Sequence, residues 1–236
     1  MTIEFNSANL SVSFTTADAK RLIMFASKDA TRVNLTPVVF DLTQECVQAT
    51  DGRVALALQS RRKQTERKEA SLVPRIQTGY DKEGDDGVTR HINCPDTVSV
   101  PQKLLQSAAK LAGTKGTITL AILAGVRQLS VAHDGTLTNF TIEADSPTWP
   151  DFSQIFPKRD KFANDMGTCQ RYAIKAFASA TILADLVGEE SIEFWAPQHG
   201  LDPCILSAVG AELIAHMVVM PMRKDPNRPR TGFLVP

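Results

Sequence analysis

Twice in this chain a short strand runs into an amphipathic helix and then into three further strands. In the first copy, residues 2–14 place Ile3, Phe5, Leu10, Val12 and Phe14 in the loose alternation of a strand. Thr15-Thr16 offers a helix N-cap and Asp18 an acidic first turn. Ala19, Leu22, Ile23 and Ala26 then recur at helical spacing. Strands are expected over 35–42, 45–49 and 54–58, with Asp51-Gly52 turning the last pair because that dipeptide tolerates positive φ. The second copy begins with a strand over 97–100. Pro101 fits the first helical position and Gly113 the place just past the helix end. Leu104, Leu105, Ala108 and Leu111 form its apolar face. Strands over 117–123, 128–132 and 136–143 follow, with His133-Asp134-Gly135 as the turn between the last two. A third unit reads as a helix over 171–186, with Ile174, Phe177, Ala178 and Ile182 on one face, and strands over 191–196, 203–209 and 211–220. Repeated units of this kind stack to bury a shared core, and the class they imply is α+β.

Between the units the character changes. The charge run over 60–68 and the turn formers over 79–87 read as one long, mobile excursion. Residues 145–158 carry three prolines and three aromatics, which suits a packed connector. Near the end, Met217-Val-Val-Met-Pro-Met-Arg223 runs two β-branched residues into two methionines around a proline. The valines favour a strand, the proline ends it or confines it to an edge, and the thioethers suit an adaptable apolar surface.

Several function classes are disfavoured. Lys+Arg and Asp+Glu both total 26, so bulk positive charge is not available to hold nucleic acid. Cys46, Cys94, Cys169 and Cys204 are far apart in sequence and read as buried thiols in a reducing compartment. No apolar run reaches membrane-spanning length, and the first ten residues are too polar for a signal peptide, so a cytoplasmic location is expected. Phosphate-binding glycine loops and zinc-ligand spacings are missing. His91, His133, His199 and His216 are isolated and read as surface or packing residues. Asp85-Asp86 and Glu189-Glu190 read as solvated turns. No catalytic residue, metal site or cofactor is expected.

Three motifs stand in a fixed order: Gln48-Ala-Thr-Asp-Gly-Arg-Val-Ala55, Trp149-Pro-Asp-Phe-Ser-Gln-Ile-Phe-Pro157 and Val218-Val-Met-Pro-Met-Arg223. In that order they resemble the bacterial replicative sliding clamp, the β subunit of DNA polymerase III. The first is similar to that family's hairpin in the middle domain, the second to the segment closing a clamp domain, the third to its C-terminal strand. The resemblance implies a DNA-clamp fold, with repeated β-α-β-β-β units and helices on one face of antiparallel sheets. It divides the chain into a clamp domain over 1–158 like the family's middle domain, a half domain over 159–223 like the end of its last domain, and a tail over 224–236. A first domain and half of the third have no counterpart here. The implied function is a DNA polymerase processivity factor that encircles duplex DNA as a homo-oligomer and binds polymerase and clamp-loader peptides in a hydrophobic groove. By resemblance that groove takes Leu35 on the second strand, Thr50, Gly52, Arg53 and Ala55 of the hairpin, Pro157 of the connector, and Val218, Val219, Met220, Pro221, Met222 and Arg223. Val54 stands where the family has a second basic residue, and Ala55 where it has leucine, which implies a shallower pocket.

The helices add a separate indication of duplex DNA. Lys20, Arg21 and Lys28 are assigned to the first, Lys103 and Lys110 to the second, Arg171 and Lys175 to the third. Such cations would contact phosphates without reading sequence. Phe233-Leu234 in the tail pairs residues of the kind that enter clamp grooves, so the tail is a candidate for docking there. Two rivals stand beside the ring: a clamp-like module that never closes and competes for or sequesters clamp-binding proteins, and a nuclease or other nucleic-acid enzyme, for which no carboxylate or metal constellation is visible.

Overall fold

The computed structural model describes residues 3–66, 73–83, 89–143, 149–152, 156, 179–189, 191–195 and 203–220. The first unit holds β1 (Glu4–Asn6), β2 (Ser11–Thr15), α1 (Thr16–Ile23), β3 (Pro37–Asp41), β4 (Cys46–Thr50) and β5 (Val54–Ser60). A short helix α2 (Arg61–Glu66) and a hairpin of β6 (Gly79–Glu83) and β7 (Thr89–Asn93) follow. The second unit is β8 (Thr97–Pro101), α3 (Gln102–Ala112), β9 (Thr117–Leu123), β10 (Val126–His133) and β11 (Thr136–Ile142). The third contributes α4 (Ala180–Val187), β12 (Glu193–Trp195), β13 (Cys204–Val209) and β14 (Leu213–Val219).

Local chemistry sets the element ends. The Thr15 hydroxyl accepts from the Asp18 amide at 3.2 Å, and the Asp18 carboxylate accepts from the Thr15 amide at 3.3 Å, a reciprocal capping box that starts α1. Gly113 at φ 59° ends α3. Asp134 and Gly135, at φ 47° and 76°, turn β10 into β11, the positive-φ pair that a tight hairpin wants.

The units exchange their first strands. One antiparallel sheet runs β1-β2-β9-β10-β11, so β2 of the first unit lies beside β9 of the second. The other runs β12-β13-β14-β5-β4-β3-β8, so β8 of the second unit lies beside β3 of the first. The second sheet also continues into the third unit, because β5 pairs with β14 along its whole length, from Val54↔Val219 to Ser60↔Leu213. The helices α1 and α3 pack on each other, and α4 packs on β13 and β14. The main core joins both sheets and these helices, with Phe14 stacked on Phe40 at 5.7 Å.

A second, smaller core explains why β3, β4 and β14 are buried at every residue. Val39, Cys46, Ala55, Ala57, Ile205 and Val218 face Trp149, Phe152 and Phe156 of the connector. Trp149 stacks on Phe152 at 5.4 Å, and its indole N–H donates to Gln48 Oε1 at 3.0 Å. The described connector residues Trp149, Phe152 and Phe156 are packed, as expected, and a sheet covered on both faces loses its alternation.

The excursion differs from expectation. The charge run is in part ordered: β5 continues to Ser60, and α2 places Arg62 on the buried Glu45 and Gln64 Nε2 3.2 Å from His216 Nε2. Of the turn-former stretch, residues 79–83 form β6, which pairs with β7, and 84–87 lie outside the described residues. Two apolar assignments shift as well. Leu111 is 48% exposed, because α3 buries Leu105, Ala108, Ala109 and Ala112 instead. Cys94 is only half-buried, whereas Cys46 and Cys204 are buried; Cys169 lies outside the described residues.

Candidate functional site

The β4–β5 hairpin and the end of β14 meet at one place. Thr50 pairs with Ala55, Ala55 with Val218, and Val54 with Val219. The Met220 amide donates to the Arg53 carbonyl at 2.9 Å, which ties the strand end to the hairpin tip. The tip is built from its own side chains. Thr50 Oγ1 donates to the Val54 carbonyl at 2.8 Å and accepts from the Gly52 amide at 3.0 Å. Asp51 Oδ1 accepts from the amides of Arg53 and Val54 at 2.8 and 2.9 Å. Gly52 sits at φ 85°, and a Cβ there would stand 2.9 Å from Arg32 Nη1 and 3.4 Å from Leu35 Cδ1.

The expected groove residues divide into floor and rim. Thr50, Ala55, Val218 and Val219 are buried, with Val218 turned to the aromatic connector and Val219 to the main core. Leu35 is half-buried, Gly52 and Arg53 are exposed, and Met220 is 42% exposed. Pro157, Pro221, Met222 and Arg223 lie outside the described residues. Leu35 is not on a strand: it closes a short 3₁₀ turn, Val33–Leu35, because Pro37 delays the start of β3. Its carbonyl accepts from the Ser27 amide at 2.8 Å, anchoring that turn beside the end of α1.

A hollow of about 360 Å³ opens next to the hairpin, lined by Met24, Ala26, Lys28, Arg32, Asp51 and Arg53 among others. Arg32 was not singled out by motif reading, yet its Nη1 donates to the Asp51 carbonyl at 3.1 Å. Its Nε lies 3.7 Å from Asp29 Oδ2. Hydrogen bonds from the Thr31 hydroxyl and amide hold the Asp29 carboxyl below its ordinary value, so it stays ionised opposite Arg32. The placement of Arg32 three residues before Leu35 was the available sequence clue.

The predicted DNA-facing cations fare unequally. Lys20 on α1 and Lys103 and Lys110 on α3 are exposed. On α3 the two lysines share a stripe with the exposed Gln106 and Ser107. Lys28 is not on α1, which ends at Ile23; it lines the hollow by the hairpin. Arg21 is on α1 but bridges Asp18 at 3.2 Å and Asp185 of α4 at 3.1 Å, tying the first unit to the third. Arg171, Lys175, Asp85, Asp86, Glu190, His199, Phe233 and Leu234 lie outside the described residues. His216 is a packing residue, buried and 2.8 Å from the Ser207 hydroxyl.

No protein-family model matches the sequence, and no curated protein does. Solved structures match the fold. The DNA polymerase III β subunit of Borrelia burgdorferi matches with a TM-score of 0.53 at 12% identity, over 94% of this chain and 65% of that one. The sliding clamp of Bacillus subtilis matches with a TM-score of 0.54 at 13% identity, over 95% of this chain and 66% of that one. The Helicobacter pylori β clamp, solved bound to a DNA ligase peptide, matches with a TM-score of 0.53 at 12% identity, over 91% and 66%. The chain thus spans about 65% of the length of the Borrelia clamp. Its fold, α+β with mostly antiparallel sheets, is that of the bacterial DNA polymerase III β-subunit sliding clamps.

Proposed function

We propose that the protein is a clamp-type binding protein, not an enzyme: it encircles duplex DNA as a homo-oligomer and holds partner peptides where the β4–β5 hairpin meets the end of β14. The observation that carries this reading is the junction itself. The hairpin of one clamp unit and the terminal strand of another form one continuous sheet, with Leu35, Arg53 and Met220 at the surface above a buried floor. An apolar floor with a conformationally adaptable thioether at its rim accommodates more than one short hydrophobic motif. The clamp domain over 1–158 and half domain over 159–223 are the parts proposed to build the site, and a cytoplasmic location follows from the role.

The partners proposed are polymerase and loader proteins bearing such motifs, and duplex DNA contacted through phosphates by Lys20, Lys103 and Lys110. Topology rather than net charge would then prevent escape, which suits a chain whose formal charges cancel. Titration of a labelled clamp-binding peptide tests the groove. Arg53→Ala is expected to weaken binding about ten-fold, roughly 1.4 kcal/mol. Peptide affinity unchanged by Arg53→Ala and by Met220→Ala would remove the groove from this site.

A further inference from the structure

Three of the six methionines fall among the described residues, and their settings differ. Met217 lies within β14 and is buried in the main core. Met220 is the first residue beyond the ladder that β14 makes with β5, whose last pair is Val54↔Val219. The Arg53 carbonyl holds its amide, so its backbone is fixed at the hairpin tip while 42% of the residue stays exposed. Met24 caps the C-terminal end of α1, is 59% exposed and lines the hollow next to the hairpin.

Exposure decides which thioether an oxidant reaches. Hydrogen peroxide gives one oxygen atom to the sulfur: an S–O bond forms as the O–O bond breaks, sulfur loses two electrons, and the remaining oxygen leaves as water. The sulfoxide is polar where the thioether was apolar and flexible, and sulfoxide reductases reverse the step. In the main core such an oxygen would disrupt packing, and there Met217 is shielded. Met24 and Met220 belong to neither apolar core, so an oxygen added to them leaves the fold's packing in place. At Met220 the added oxygen stands on the rim of the candidate groove. A partner's apolar side chain docking there would have to strip water from a polar group without pairing it.

We propose that Met220 is an oxidation site that regulates the groove: peroxide converts it to the sulfoxide and weakens partner-peptide binding, and reduction restores it. The inference rests on the groove reading above and adds a control to it. Met24 is oxidised as well, being the more exposed, but it lies in the hollow rather than on the rim and supplies the comparison.

The full chain is treated with hydrogen peroxide, quenched with catalase, mapped by mass spectrometry and titrated with a labelled clamp-binding peptide. Oxygen is expected on Met24 and Met220 and not on Met217, with circular dichroism unchanged. Peptide affinity is expected to fall about ten-fold, the size of effect one rim anchor carries, and to return after incubation with methionine sulfoxide reductases. Met24→Leu keeps that fall. Met220→Leu sets its own starting affinity, and the ratio of its affinities before and after peroxide is expected to be near one. A reading that needs no variant comes from bound peptide, which should slow oxygen uptake at Met220 and leave Met24 unaffected. Undiminished affinity with Met220 fully oxidised, a Met220→Leu protein that loses affinity as the wild type does, or a fall that tracks oxidation of Met24 would overturn the switch while leaving the groove in place. Failure of the untreated chain to take the peptide at all overturns the groove reading itself, and the switch with it.

Discussion

Gly52 concentrates two demands at one residue. Its φ of 85° is unfavourable for any residue with a Cβ, and a Cβ would also press on the Arg32 guanidinium at 2.9 Å. Gly52→Ala is expected to lower unfolding stability by about 1–3 kcal/mol in urea titration, with the loss reduced in an Arg32→Ala background. Asp41 is a second residue whose setting has a measurable result. Burial pushes its carboxyl above the ordinary 3.8, although the Gln44 amide and side chain donate to it at 2.8 and 3.2 Å. A carboxyl with a raised folded-state pKa favours the fold while protonated. That contribution is full below the unfolded value and is lost as pH rises through the folded one. Stability of the wild type should therefore fall over that window relative to Asp41→Asn, in which thermal melts lose this part of the pH slope.

At the scale of elements, α3 and the connector make separate predictions. Lys103→Glu with Lys110→Glu reverses the exposed stripe of α3 without touching its buried face, so the melting temperature should hold while retention on circular DNA falls. Equal retention would argue that α3 does not face the duplex. Trp149→Ala removes a ring stacked on Phe152 and strands the Gln48 acceptor, and is expected to cost about 3–5 kcal/mol in denaturant. Much of this scale was legible beforehand. The helix start at Thr15, the Asp51-Gly52 and Asp134-Gly135 turns and the strands of the second unit follow from local chemistry that acts within a few residues. Lys28 and Leu35 were misplaced because periodicity continues through the sequence after the backbone has already turned at Met24 and before it straightens at Pro37. The role of α2 was hidden for another reason: a charge run gives no sign that Arg62 will meet a buried glutamate.

For the whole molecule, the repeat was legible and the exchange of strands was not. Alternation says that β2 and β8 are strands; it says nothing of which sheet receives them, because that choice is made by contacts between residues far apart in sequence. The division of the candidate groove into floor and rim was hidden likewise, since only the packed connector makes Val218 interior. That exchange has a consequence for how the chain acquires its structure. Ser11 waits for Ala121 and Pro37 for Pro101, so neither unit can complete its sheets from its own residues. Residues 4–60 therefore leave the ribosome with β2 and β3 each lacking one of their two neighbours until the second unit is made. Long closures of this kind slow folding and prolong exposure of strand edges. A fragment ending after β5 should remain unfolded by circular dichroism, and mixing it with the second unit should restore strand signal only as a complex of the two.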